Sequence, residues 1–284
     1  MKYEKKIEEL ITRINEADAI IIGAGSGMSA AAGFRFYYER DEMFVEHFGE
    51  FEKKYHYHNA FDAGYYRYRT SEERWALYSR MICTILDAET GEPYRDLDKI
   101  LKDKCFHILT TNQDTQFTHI YPDEKISAIQ GDWRYLQCSR RCHDQIYPSS
   151  EIMHKMNENI NEELAIPTEL IPRCPKCGAE MEPWIRSYVF LEGKKYQEEH
   201  EKWQQFVVDH QNDNILFLEL GVGRMTPMFI QEPFWNLTHQ LPNAYYITIN
   251  PKDAILPKEL SKKGLAIHDD IAKVLKEVTE RMAE

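Results

Sequence analysis

The chain has 284 residues, a net charge of -12 and six cysteines. That length suits one large domain with a small accessory one. The acidic balance argues against a phosphate-backbone partner, so no nucleic-acid binding is expected. The mean hydropathy of -0.59 and the lack of any apolar run near the ~20 residues that span a bilayer argue against a membrane role. The first ten residues are charged and lack the apolar core of a signal peptide, which makes cytoplasmic residence the expectation.

Taken in order, Ile7, Leu10, Ile11 and Ile14 fall on one face of a helix over residues 3–16. Ala19-Ile20-Ile21-Ile22 is a short apolar run that stops at Gly23, as a buried strand does at a glycine turn. Gly23, Gly25 and Gly27 let the backbone approach something closely, and Met28 to Ala32 read as the start of a helix. A phosphate suits the free N–H groups of such a turn, although a tight strand-to-helix turn with no ligand gives the same pattern. The spacing is not the dehydrogenase G-x-G-x-x-G. The acids that follow, Glu39 and Asp41, sit after an aromatic loop and not a second strand.

From Phe34 to Tyr68 aromatics crowd the chain, which predicts the core of a small helical insertion. Buried helices are expected over residues 75–86 and 94–102. Short apolar strands follow at Cys105–Thr110, Ser127–Ile129, Ile215–Leu220 and Ala244–Ile249, and an amphipathic helix closes the chain over 271–282. Each strand ends in glycine or a small polar group. That is the pattern of an α/β, doubly wound, mainly parallel Rossmann-like sheet, whose ligands lie at the carboxyl ends of the strands. Gly23 to Ser29, Asn112, Asp114, Gln130, Gly221, Gly223 and Asn250 are then expected to converge.

Cys138 and Cys142 form a C-x3-C pair, and Cys174 and Cys177 a C-x2-C pair ahead of Gly178. Two such knuckles across a loop predict a tetrahedral four-thiolate zinc site, with four buried, unligated thiols as the alternative. With no position left for water the metal is structural; His143 is adjacent but not needed. Arg134, Arg140, Arg141, Arg173 and Lys176 around these pairs read as solvated charge, while Cys83 and Cys105 read as buried small hydrophobes. The expected division is a Rossmann-like domain over 1–33, 70–131 and 187–284, an aromatic helical insertion or cofactor loop over 34–69, and a small inserted zinc module over 132–186. A charged helical stretch over 194–210 leads back to the sheet.

These residues together resemble the sirtuin family, over most of the chain and in the same order. Its GAGxS with a later glycine matches Gly23-Ala24-Gly25-Ser26 and Gly33, and its T-Q-N-x-D matches Thr110 to Asp114. The catalytic His-Gly falls on Gln130-Gly131, the four zinc ligands on the four paired cysteines, the phosphate-side G-T-S on Gly221-Val222-Gly223, and the adenosine-side Asn on Asn250. The family's P-D-F-R is Arg35-Phe36-Tyr37-Tyr38 here. That change and Gln130 resemble the macrodomain-linked, class M sirtuins.

The resemblance implies an NAD-dependent protein mono-ADP-ribosyltransferase that releases nicotinamide. Its implied acceptor is a lipoyl-carrier protein resembling glycine cleavage protein H, with a macrodomain hydrolase as a further partner. It implies catalytic roles for Asn112, Gln130 and Asp114. It implies NAD contacts from Gly23, Ala24, Gly25, Ser26, Ser29, Gly33, Phe34, Tyr37, Asn112, Gln130, Gly221, Val222, Gly223, Asn250 and Asp269. Phe34 and Tyr37 are the aromatics expected to rebuild a nicotinamide pocket that lacks the family's Asp and Arg. Chemistry points the same way. Deacylation needs a base for a ribose hydroxyl, which a neutral His supplies and a Gln amide cannot. Transfer to an acceptor carboxylate needs no base, so Gln130 and Asn112 need only position the ribose. For Asp114, support of the nicotinamide side and simple helix capping remain alternatives. The other readings are a deacylase working without the His, an NAD hydrolase, and a silent NAD-binding module.

Overall fold

A computed structural model describes residues 2–283. Strand β1 (Ala19–Ala24) is buried along its whole length and lies at the centre of a six-stranded sheet. Its parallel neighbours are β2 (Phe106–Thr110) on one side and β7 (Ile215–Leu220) on the other. Strand β3 (Ile126–Ala128) extends the first side; β8 (Tyr245–Ile249) and β9 (Gly264–Ile267) extend the second. The order β3-β2-β1-β7-β8-β9 is that of a dinucleotide-binding doubly wound sheet. Every pairing in it is parallel, so all six carboxyl ends share one edge. The sequence reading found five of these strands. It missed β9, an edge strand of four residues that follows a lysine-rich stretch and buries only alternate side chains.

Helices cover both faces. On one, α1 (Tyr3–Glu16), α6 (Glu92–Leu101) and α10 (Ile271–Met282) bury Leu10, Leu97 and Val274 against Ile20, Ile22 and Leu218. On the other, α8 (Lys194–Asp209) and α9 (Gln231–Gln240) pack Trp203 and Phe234 against Ile21, Phe217 and Tyr246. Asp270 caps α10 by accepting from the Lys273 N–H. Among the described residues no helix is long and apolar enough to cross a membrane.

A second core lies away from this sheet. It joins α3 (Glu42–Tyr55), α4 (Ala60–Tyr65), α5 (Ser71–Leu86) and α7 (Ser150–Glu158) to an antiparallel sheet. That sheet runs β5 (Ile146–Pro148), β4 (Gly131–Cys138), β6 (Met181–Ile185). Aromatics of residues 34–69 pack here: Phe36 stacks on Phe48, and Phe48 on Phe44. Asp41, Asn59 and Thr70 cap α3, α4 and α5 through their side chains. Trp75 and Ser71 both donate to the Glu180 carboxylate, at 2.7 and 2.8 Å, which fixes α5 to the cysteine-bearing segment. The helical insertion and the four-cysteine module therefore share one apolar interior.

Cys105 departs from its expected burial. It stands just before β2, where the chain enters the sheet from solvent, and is exposed beside His210. Cys83 is buried as expected.

The turn after β1 (α2, Ser26–Ala31, begins in it) is glycine-rich for a reason internal to the fold. A Cβ on Gly27 would lie 2.6 Å from Gly221 Cα, and one on Gly25 2.7 Å from Val222 Cα. Gly221 has a φ of +65°, and its own Cβ would lie 2.5 Å from Gly27 Cα. The two turns therefore touch backbone to backbone, with the Gly27 N–H donating to Gly221 O at 2.9 Å. We expect Gly221→Ala to cost about 2 kcal/mol or more in urea unfolding, through clash and left-handed strain together. Gly223 has open space around it, so Gly223→Ala should fall within about 0.5 kcal/mol of wild type. Equal stabilities would contradict this packing.

Glu219 on β7 is buried and accepts from Tyr246 Oη at 2.6 Å, Thr248 Oγ1 at 3.0 Å and Gln231 Nε2 at 3.2 Å. Burial pushes its carboxyl up to about 7, against the opposing pull of those donors. The folded chain thus keeps a proton that the unfolded chain releases near pH 4.5. Its stabilising contribution is full below that value and is lost as pH rises toward 7, by as much as ~3 kcal/mol. Glu219→Gln should flatten that fall between pH 5 and pH 7.5 in denaturant melts. Parallel profiles for the two proteins would exclude the buried proton.

Candidate active site

The site is assembled from strand ends. At the tip of β2, Thr110 Oγ1 donates to Ala24 O at 3.1 Å and accepts from the Asn112 N–H at 3.0 Å. The Thr111 N–H also reaches Ala24 O, at 3.1 Å. These bonds lock the β2 turn to the glycine turn of β1 and set the direction in which Asn112 leaves the sheet. At β3 the Ile129 N–H donates to Thr110 O at 3.2 Å. Gln130 follows at the junction of the two sheets. Its carbonyl accepts from the Arg186 N–H at 2.8 Å and from Gln113 Nε2 at 3.1 Å. Gly131, with a φ of +89°, is required there, because a Cβ would sit 2.1 Å from Trp184 O.

The side-chain nitrogens Asn112 Nδ2 and Gln130 Nε2 are both buried, and neither has a partner in hydrogen-bond geometry among the described residues, although the Asn112 side chain faces the Tyr94 hydroxyl. An unmet buried amide donor costs about 1–3 kcal/mol. Two on adjacent strand tips point to a ligand with oxygen acceptors.

Asp114 follows Asn112 in the same turn and is buried. Its Oδ2 accepts from Tyr94 Oη at 2.8 Å and its Oδ1 from the Gln116 N–H at 3.2 Å. Ser29 also faces it. Burial raises the pKa of this carboxyl, and the hydrogen bonds from Ser29 and Tyr94 oppose the rise. Asp114 therefore both caps the following turn and joins α2 to α6 behind the site. The next residue, Thr115, is β-branched yet has a φ of 56°, a strain of about 1–3 kcal/mol at this turn.

The far half of the sheet supplies Gly221, Val222 and Gly223 at the end of β7. Asn250, after β8, holds that turn: its Nδ2 donates to Val222 O at 3.1 Å, and its Oδ1 accepts from the Lys252 and Asp253 N–H groups at 3.0 Å. Both ends of the Asn250 amide are thus engaged by the chain itself. Asp269, beyond β9, is paired with Lys273 at 2.6 Å, which holds its carboxyl below the usual range. Gly33 is exposed with a φ of +96°, and the Phe34 N–H donates to Ser29 O at 3.0 Å. The Phe34 ring is buried in the second core, and Tyr37 lies edge-on to Tyr38 and Phe61. Direct ties thus gather Gly23 to Ser29, Asn112, Gln113, Asp114, Gln130, Gly221 to Gly223 and Asn250. The Phe34 backbone joins them through Ser29, while its ring, Tyr37 and Asp269 are held by other contacts. Sequence reasoning missed Tyr94 and Gln113. Tyr94 carried only a helical signal, and Gln113 was one letter of a motif with no stated role.

In the accessory module the Cys138–Cys177 and Cys142–Cys174 sulfurs are each 3.6 Å apart, and all four lie within 4.8 Å of one another. Zn–S bonds of about 2.3 Å place tetrahedral sulfurs about 3.8 Å apart, so the four thiolates fit zinc. His143 stands outside them, its Nδ1 3.1 Å from Cys142 Sγ and its Nε2 2.8 Å from Tyr147 Oη. Its place is that of a donor to thiolate sulfur, not of a fifth ligand.

No family model matches the chain. A protein ADP-ribosyltransferase of Staphylococcus aureus is 36% identical over 275 residues, which cover 95% of this chain and 86% of that protein. A probable bifunctional ADP-ribose hydrolase/ADP-ribosyltransferase of Fusarium oxysporum f. sp. cubense is 27% identical over 92% of this chain, but only 46% of its own length is matched. Among solved structures, Sir2Tm bound to a propionylated peptide superposes with a TM-score of 0.63 at 16% identity, covering 98% of this chain and 99% of that one. A Sir2 homologue–NAD complex gives 0.61 at 14% identity, covering 97% and 93%. Those two likenesses carry the fold, and the bacterial relative carries the family: the chain belongs to the sirtuin-type protein ADP-ribosyltransferases.

Proposed function

We propose that this protein transfers ADP-ribose from NAD to a protein acceptor and releases nicotinamide. The observation that carries this reading is the pair of buried, unpartnered amide donors, Asn112 Nδ2 and Gln130 Nε2, at a strand edge built for a dinucleotide. A ribose diol offers the oxygen acceptors these donors lack. Meeting two donors that each cost about 1–3 kcal/mol adds roughly one to two powers of ten in affinity per donor.

NAD supplies the glycosidic bond that breaks; nicotinamide leaves with the electron pair. An ionised acceptor carboxylate supplies the pair that forms the new bond to the ribose carbon, so no proton needs to be removed. Asn112 and Gln130 orient the ribose, and the hydrogen-bonded turns of β1, β2 and β7 hold the dinucleotide in register. Asp114, fixed by Tyr94 and Ser29, supports the position of α2 and the β2 turn. The Gln130 amide takes up no proton near neutral pH, which counts against deacylation by the usual sirtuin route.

The finer parts of the reading rest on the family resemblance. The acceptor is a lipoyl carrier resembling glycine cleavage protein H. A macrodomain hydrolase reverses the modification; in support, the Fusarium relative is named for both hydrolase and transferase activities. The setting is the cytoplasm. Gly33, Phe34, Tyr37 and Asp269 complete the NAD contacts after rearrangement, and the four cysteines hold structural zinc.

Labelled NAD incubated with candidate carriers should label protein. Robust release of lysine acyl groups without labelling would instead make the protein a deacylase. Free ADP-ribose as the only product would make it an NAD hydrolase, and no nicotinamide release a silent binder. Asn112→Ala should lower kcat/KM for transfer by about 100-fold while leaving the thermal midpoint within a few degrees. Unchanged turnover would remove Asn112 from the site. Withdrawing zinc with a chelator, or introducing Cys177→Ser, should lower the thermal midpoint and expose apolar surface of the second core. A midpoint unmoved by chelation would exclude a structural metal.

A further inference from the structure

Helices α5 and α7 lie side by side in the second core. Cys83 stands in the last turn of α5, and Asp87, four residues on, is its C-cap. His154 stands on α7, with Glu158 one turn later. Residues four apart on a helix share a face, and these two faces meet. The ligand atoms of Cys83, Asp87 and His154 all lie within 4.8 Å of one another. The cysteine is buried, the histidine half-buried and the aspartate exposed, so the cluster is closed inside and open to solvent outside.

The histidine ring is oriented as a metal ligand is. Its Nδ1 lies 2.8 Å from the backbone carbonyl of Ser150, which can only accept, so Nδ1 carries the hydrogen. In the neutral ring the lone pair is then on Nε2. That atom faces the Asp87 carboxylate, 2.8 and 3.0 Å from its two oxygens. A lone pair set against a carboxylate needs a positive charge between them, either a proton or a metal ion. A carbonyl behind the ring is the usual outer partner of a metal-bound histidine. The thiol at the third corner selects a borderline-soft ion such as Zn²⁺ or Co²⁺ over Mg²⁺ or Ca²⁺.

We propose that Cys83, Asp87 and His154 form a second transition-metal site, separate from the four-cysteine site, with water or Glu158 in the fourth position. On binding, the thiol loses its proton to solvent and the ion takes the place of the proton shared by His154 and Asp87. Arg80 lies nearby, held by Asn157 Oδ1 at 2.7 Å and His47 O at 3.0 Å. Its charge opposes the incoming cation, so this site is weaker than the four-thiolate one. Occupancy would clamp α5 to α7, the helix pair that joins the aromatic insertion to the zinc module.

The test is a Co²⁺ titration of protein already loaded with zinc. One further equivalent should bind and give a thiolate-to-cobalt charge-transfer band in the near ultraviolet, with a rise in the thermal midpoint. Both signals should be lost in Cys83→Ser and His154→Ala, and the band weakened in Asp87→Asn, where the exposed carboxylate can change without disturbing the core. Zinc content and far-ultraviolet dichroism establish that each variant is folded. No further uptake by the wild type would overturn the proposal. So would a band that survives in folded Cys83→Ser, because it would then arise from exchange into the four cysteines.

Discussion

Two glycine turns meet at the middle of the sheet with no side chain between them, and the rest of the molecule depends on that contact. Gly25 and Gly27 after β1 touch Gly221 and Val222 after β7 at the point where the strand order reverses. Such a point is where an open parallel sheet leaves room for a dinucleotide. Hydrogen bonds carry the constraint outward. The β2 turn is tied to Ala24, the Ile129 N–H to Thr110, and the β7 turn is held by Asn250. Asn112 and Gln130 owe their positions to these ties and to Gly131. The precision of the site is thus a property of the backbone, and the two amides are its chemical expression.

The second core meets the main sheet at Gln130 and Gly131. Gln130 ends the main-sheet side and Gly131 begins β4, so Gln130 sits at the junction of the two sheets. The Arg186 N–H, just after β6, reaches back to the Gln130 carbonyl. Four clustered cysteine sulfurs bring β4 and the Cys174–Cys177 loop together, and Glu180 joins that segment to α5. A structural metal here acts on the reaction only by fixing geometry.

Much of this was legible in the sequence. The β1, β2, β7 and β8 strands are short apolar runs that stop at glycine or a small polar residue, and that pattern made the fold class readable. The paired cysteines were readable because zinc demands thiolates at short, regular spacing. Other features left no local signal. Strand β9 buries only alternate side chains at an edge, so its run is too weak to read. Cys105 was read with the apolar run that follows it, but Lys102-Asp103-Lys104 precede it and it enters the sheet from solvent. The glycines after β1 were read as making room for a ligand, whereas their nearest neighbour is another turn nearly two hundred residues away. The bond from Tyr94 to Asp114 joins a helix to a strand tip, and nothing in either segment announces it.

The central claim is that Asn112 and Gln130 meet the ribose of NAD directly. A crystal structure of the zinc-loaded protein with NAD tests it. The account requires both amide nitrogens within hydrogen-bond distance of ribose oxygens, with the pyrophosphate at the turns of Gly25 and Gly223. NAD bound elsewhere, or both amides still without partners beside it, would contradict it.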